Sequence, residues 1–142
     1  MHTVGSLMHS GVVTCRPDDC LRTVAHLLAA NRIHAVVVAS PEERAPRAVV
    51  TDRDVVYAHS LGKLDDVVAR DAASEPTITV RADLDLRQAC ELMARYGASH
   101  VVVTEPGYGA PVGILSSLDV AAAVAEPGSA RSSAEPGERV SA

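Results

Sequence analysis

The sequence predicts a mixed α/β (α+β) fold made of two β-α-β-β-α repeats packed as a pseudo-twofold pair. The first observation is internal repetition. Shifted by 65 positions, the chain places Thr14 on Thr79, Arg16 on Arg81, Asp18 on Asp83, Leu21-Arg22 on Leu86-Arg87, Val36-Val37-Val38 on Val101-Val102-Val103 and Asp54-Val55 on Asp119-Val120. About a third of the positions in 14–58 match 79–123 without a gap, which marks a duplicated supersecondary unit. The second is an alternation of strand-like aliphatic runs with helix-period segments inside each copy. The third is composition: 47% of the 142 residues are hydrophobic, yet there are three Tyr and no Phe or Trp, so the core is Val, Leu, Ile and Ala. A lone β-α-β-β-α unit leaves one sheet face uncovered, and the two copies are expected to cover each other.

In the first copy, Val12–Thr14 is expected as a short strand and Pro17-Asp18-Asp19 as the turn into a helix. Leu21, Val24, Leu27 and Leu28 recur at helical spacing up to Asn31, a suitable stop. The β-branched segment from His34 to Ala39 reads as a buried strand. Residues 40–46 form a polar loop, Ala48-Val49-Val50 a third strand, and Thr51 opens a helix that runs to about His59.

The second copy repeats the order. Ile78 lies in its first strand; Leu86, Ala89, Cys90, Leu92 and Met93 mark its helix. Asp85 and Gln88 have capping-box spacing at the start of that helix, and Gly97 suits its C-terminal cap. Val101–Val103 and Gly113–Leu115 are the later strands, and Ser116 begins the last helix. Residues 64–69 are expected as a short linker helix equivalent to Val4–Met8. The division is therefore 1–66 for the first repeat with its N-terminal linker helix, 67–125 for the second, and 126–142 for a disordered tail. That tail holds Pro127-Gly128 and Pro136-Gly137 and no apolar period.

Charge and composition exclude several functions. A net charge of −5 argues against a phosphate-backbone partner, and the scarcity of aromatic rings against a reader of single-stranded nucleic acid. No apolar run has the length of a membrane span, and the N-terminus lacks the basic and apolar regions of a signal peptide, so the expected compartment is the cytoplasm. Cys15, Cys20 and Cys90 are an odd set without metal-ligand spacing; His2, His9, His26 and His59 have none either. No metal site is expected. Nucleophile-elbow, Walker A, zincin and dinucleotide fingerprints are all missing, so no catalytic residues are assigned and the chain is not expected to be an enzyme.

By spacing alone, Thr51-x-x-Asp54 and Ser116-x-x-Asp119 are helix caps with an acid in the first turn. Their surroundings carry more. Leu7-Met8 precedes Val13-Thr14-Cys15-Arg16-Pro17-Asp18, then come Asn31-Arg32-Ile33-His34-Ala35-Val36-Val37-Val38 and Ala48-Val49-Val50-Thr51-Asp52-Arg53-Asp54-Val55. The second copy supplies Thr77–Asp83 and Gly113-Ile114-Leu115-Ser116-Ser117-Leu118-Asp119-Val120. These segments resemble the cystathionine β-synthase (CBS) domain family, as a stand-alone tandem pair, over about residues 4–124.

The resemblance implies a regulatory module that binds adenine nucleotides or adenosyl compounds (AMP, ADP, ATP or S-adenosylmethionine) between the repeats, with no cofactor required. It also implies a homodimer and leaves room for an effector protein. The apolar helix residues expected at that dimer contact are Leu21, Val24 and Leu28, with Val55, Val56, Leu118, Val120 and Val124. The family's ribose-binding hydroxyl and carboxylate fall on Thr51 with Asp54 and on Ser116 with Asp119. A carboxylate accepts from both vicinal ribose hydroxyls, and the helix start favours a phosphate. The partner repeat would supply the adenine wall: Met8, Gly11, Val13, Ile33 and His34 for Ser116/Asp119, and Ala73, Pro76, Ile78, Ala98 and Ser99 for Thr51/Asp54. Arg53, His34 and His100 fall where phosphate contacts are expected. Ala48 stands for the family's usual Gly, and Val37 and Val102 for a common Pro. Leu118 takes the place of Arg53, so only the Thr51/Asp54 pocket keeps that Arg, while Gly113 keeps the Ser116/Asp119 pocket nearer the family pattern and favours it. The alternative is a constitutive dimerisation or scaffold protein with no working ligand site.

Overall fold

Two sheets face each other because each repeat makes strands that are apolar on both sides. In this computed structural model, which describes residues 2–42, 45–106 and 109–125, the expected tail at 126–142 lies outside the described residues. The first sheet joins β2 (Thr14–Cys15), β3 (Ala35–Val38) and β4 (Ala48–Thr51), with β2 parallel and β4 antiparallel to β3. The second joins β5 (Thr79–Arg81), β6 (His100–Thr104) and β7 (Pro111–Ser116) in the same pattern. It gains an edge strand, β1 (His9–Ser10), antiparallel to β7. Helices α2 (Leu21–Asn31) and α3 (Asp52–Ser60) cover the first sheet, and α5 (Leu86–Tyr96) and α6 (Ser117–Ala125) the second. Among the described residues no helix is long and apolar enough to cross a membrane.

Every residue of β3 is buried, which its β-branched run requires. Val36 and Val38 point to their own helices, packing with Leu21, Val24 and Leu28. The alternate face, Ala35 and Val37, packs with Val49, Val102, Val12 and Ile114. Under the 65-residue shift Val37 is Val102 and Val49 is Ile114, so this second face is a seam between equivalent residues of the two repeats. Each fully buried Val contributes about 1.5–3 kcal/mol of transfer free energy. Cys15 belongs to the first core, where burial, seconded by Asp19, pushes its thiol up to about 12.

Element boundaries moved where backbone groups found partners outside their own segment. The first strand is Thr14–Cys15 rather than Val12–Thr14, although the Val13 carbonyl already accepts from Val37 N–H at 3.0 Å. Val12 instead turns into the seam. The linker helix is α4 (Ala69–Ala72), not residues 64–69. The earlier carbonyls are taken by helix α2: Leu64 accepts from Arg22 N–H and Val67 from Leu21 N–H, both at 3.0 Å, which holds that stretch in turns. Asp85 caps α5 by accepting from Arg87 N–H at 3.1 Å. Ser116 ends β7 instead of opening α6.

The connecting segments cross over. Helix α1 (Val4–Leu7) packs its Val4 into the core of the second repeat, with Val4 N–H on Leu84 O at 2.9 Å and Gly5 N–H on Ala82 O at 2.8 Å. Helix α4, its equivalent under the shift, packs on the first repeat, with Ala69 N–H on Asp19 O at 2.8 Å. Each repeat is thereby closed by the segment that precedes the other.

Gly113 makes the crossover possible on the β1 side. A Cβ there would lie 2.7 Å from His9 O and 2.5 Å from Met8 Sδ. Gly113→Ala is expected to cost about 1–3 kcal/mol through overpacking. It should also free the Gly11 amide, now bonded to Val112 O at 2.7 Å. Thermal unfolding with amide exchange at Gly11 checks this; unchanged stability and protection would refute it.

Candidate functional site

A cavity of about 470 Å³ opens at the seam, within the size range of small-ligand sites. Its walls come from the β1 segment (His9 to Val13), from the turn between α2 and β3 (Arg32 to Ala35), and from His100, Ile114, Ser116, Leu118 and Asp119 of the second repeat. Of the residues expected around Ser116 and Asp119, the structure brings Gly11, Val13, Ile33 and His34 to this cavity. Met8 is turned into the core beneath Gly113. His9 and Leu118 also line it; the repeat alignment places His9 opposite Ser74 and so held the signal.

At the start of α6 two roles share one carboxylate. Asp119 Oδ2 accepts from Ser116 N–H at 2.8 Å, and Ser116 Oγ accepts from Asp119 N–H at 3.2 Å, a reciprocal cap. Asp119 Oδ1 is left to face outward and meets His9 Nε2 at 2.9 Å. The capping and ligand readings of the Ser-x-x-Asp spacing are therefore compatible, because they use different oxygens.

The pseudo-equivalent site at Thr51 and Asp54 is filled by the protein itself. Asp54 Oδ2 accepts from Thr51 N–H at 2.9 Å, and Oδ1 accepts from Ser74 Oγ at 2.6 Å. Asp54 is only 5% exposed. Beside it, Glu75 accepts from Ser99 N–H at 2.7 Å and from Ser99 Oγ at 2.8 Å. Under the shift Ser74 is His9, Glu75 is Ser10 and Ser99 is His34, so a carboxylate stands where the open site has a serine. Ala73 and Ile78 pack into the two cores and Ala98 is buried; Pro76 is exposed. Arg53, on the outer side of α3, is exposed.

His34 and His100 differ electrically. His34 Nδ1 pairs with Asp52 Oδ2 at 2.9 Å on an exposed rim. His100 is largely buried, and desolvation holds its imidazole below the usual histidine range, against the pull of Glu75, Asp52 and Asp119. The acceptor-only Glu75 carboxylate takes the Ser99 hydroxyl proton, so His100 Nδ1–H donates to Ser99 Oγ across 2.9 Å. Nε2 is then an acceptor, which suits a ligand N–H or O–H better than a phosphate.

A part-buried histidine held below its ordinary value links stability to pH. Between the lowered folded value and the ordinary value near 6.5 the unfolded chain binds more protons, so stability rises with pH in that window. The contribution of His100 is full above that ordinary value and is lost as pH falls below it. Melting temperature should drop from pH 7 to pH 5, and His100→Gln should flatten that drop; parallel profiles would remove His100 as the cause.

The comparisons with known proteins agree with this architecture. The CBS domain family matches residues 4–60 and 68–126. The chain is 31% identical over 120 residues to the uncharacterized protein MK0525 of Methanopyrus kandleri, covering 83% of this chain and 60% of that protein. It is also 31% identical over 132 residues to an uncharacterized 33.4 kDa protein in the ribosomal RNA operon of Thermofilum pendens, covering 82% of this chain and 42% of that one. The chain thus spans only part of the length of these curated relatives. Among solved structures, the CBS domain protein PAE2072 from Pyrobaculum aerophilum, complexed with AMP, superimposes with a TM-score of 0.74 at 31% identity over 82% of this chain and 88% of that one. The CBS-domain containing protein ATU1752 from Agrobacterium tumefaciens gives 0.71 at 28% identity over 85% and 97%. The CBS domain pair of MJ0100, in complex with 5′-methylthioadenosine and S-adenosyl-L-methionine, shares the fold at 18% identity and a TM-score of 0.70 over 85% and 98%. With both repeats matched and their sheets paired around a common cavity, the chain belongs to the CBS domain family.

Proposed function

We propose that this chain is a regulatory, non-catalytic module that senses an adenosine nucleotide or adenosyl compound in the cavity beside Ser116 and Asp119. The observation that carries the proposal is the outward Asp119 Oδ1, held at the wall of an apolar cavity by a carboxylate whose other oxygen is fixed on the α6 cap. The AMP complex of PAE2072, a relative at 31% identity, supports the ligand class. Ribose hydroxyls would displace His9 from Oδ1, and the aliphatic walls at Val13, Ile33 and Ile114 would sandwich adenine. The Thr51/Asp54 site is proposed to stay closed while Ser74 and Glu75 occupy it.

Ligand entry would act on two elements at once, β1 through His9 and α6 through Asp119. Helix α6 also carries the exposed Leu118 and Val124, and α3 the exposed Val56 and Tyr57. We place the homodimer contact on these two helices. Leu21, Val24 and Leu28, which the sequence offered for that contact, are instead buried in the first core. Occupancy would thereby reach the dimer face. We take 1–66 and 67–125 as the two repeats of this module, its setting as cytoplasmic, and its targets as proteins rather than nucleic acid or membrane.

Three measurements test the proposal. Titration with AMP, ADP, ATP and S-adenosylmethionine should raise the melting temperature with at least one of them, since a ligand of the native state stabilises it; no response to any would favour the scaffold alternative. Asp119→Ala should lower affinity at least tenfold, from lost charge-assisted hydrogen bonds of about 1.5–3 kcal/mol each, beside a capping loss of about 1 kcal/mol. Asp54→Ala should leave affinity unchanged; the reverse ranking would move the ligand to the other site. In sedimentation the chain should run as two copies at micromolar concentration, and Val56→Glu with Val124→Glu should give one; a monomeric parent chain would refute the dimer.

A further inference from the structure

Arg32 is the one non-glycine residue among the described residues with a positive φ, at 53° with ψ 48°. It ends α2 in the left-handed conformation. Its equivalent under the 65-residue shift is Gly97, which ends α5 with φ 65° and ψ 33°. The two ends close in the same way: Ile33 N–H donates to Leu28 O at 3.1 Å, and Ala98 N–H to Met93 O at 3.0 Å. Glycine adopts this backbone without steric cost, whereas a side chain there is strained. Helix termination thus explains Gly97 and leaves the arginine unexplained.

What distinguishes position 32 is its place. Arg32 lines the cavity beside Ser116 and Asp119. It is exposed, and among the described residues no ion pair engages it. The other basic groups on the cavity wall have partners: His9 is on Asp119, His34 on Asp52 and His100 on Ser99. Among the described residues Arg32 therefore brings the cavity's one unpaired permanent positive charge, on a backbone that favours glycine. Strain kept at the edge of a cavity fits a binding role.

We infer that Arg32 is the anion-binding residue of this cavity and that it sets the ligand class: an adenosine carrying a 5′ phosphate, in preference to a neutral or sulfonium adenosyl compound. The inference rests on the adenosyl reading of the site and adds the selector. Its guanidinium would meet phosphate oxygens with two parallel N–H donors, while Asp119 takes the ribose.

The test is Arg32→Gly, measured by calorimetric titration with AMP and with adenosine and by thermal unfolding without ligand. Removing a strained left-handed side chain should raise the melting temperature by about 2–5 °C. AMP affinity should fall at least tenfold while adenosine affinity changes less than twofold, and Arg32→Lys should retain part of the AMP affinity through its charge. If Arg32→Gly binds AMP as the parent chain does, or loses AMP and adenosine alike, Arg32 is not the anion contact although the adenosyl site stands. If the parent chain binds neither compound, the site reading fails and the inference falls with it.

Discussion

The structure depends on the aliphatic seam between the two sheets. A β-α-β-β-α unit covers one face of its sheet with its own helices and leaves the other to water. Here Ala35, Val37 and Val49 of the first repeat meet Val102 and Ile114 of the second across that open face. Small β-branched side chains let the sheets approach closely without aromatic rings, and the duplication guarantees that the two surfaces carry matching residues. The cavity exists because this seam ends: where β3 and β6 begin, beside His34 and at His100, the sheets part and leave it between them.

The seam is symmetric, but the two sites on it are not. Each carboxylate has one oxygen on its own helix cap and one turned toward the segment arriving from the other repeat. That segment delivers His9 to Asp119 and Ser74 to Asp54. A hydroxyl at 2.6 Å on the buried Asp54, with Glu75 beside it holding Ser99, makes a closed polar cluster. An exposed imidazole leaves its partner accessible, since hydrogen bonds and ion pairs open to water are weak. The duplicated framework thus supports one open cavity and one self-satisfied site, and the difference lies in residues 9–10 against 74–75.

Much of this was legible in the sequence because it is periodic. The 65-residue shift, the β-branched runs at Val36–Val38 and Val101–Val103, and the helical spacing of Leu21, Val24 and Leu28 are local patterns with local physical causes. The sheets, the repeat pairing and the Thr/Ser-x-x-Asp caps follow from them. The same patterns led to errors where a backbone group is used at long range. Residues 64–68 look helical, but their carbonyls serve the start of α2. Leu21, Val24 and Leu28 look like surplus apolar surface until the crossover of α4 and the closeness of β3 bury them.

What the sequence alone determined is the duplicated fold, its aliphatic core and the positions of the two carboxylates. Periodicity and capping act within a few residues, and the repeat makes them visible twice. Only the tertiary structure decided which site is open, because that turns on which side chain the crossing segments bring to Asp54 and Asp119. It alone set the polar surroundings that hold the His100 imidazole below the usual histidine range, since burial and the Ser99–Glu75 pair come from different elements. It alone revealed Arg32 in a left-handed turn at the cavity wall: φ is not written in residue type, and the wall is assembled from both halves of the chain.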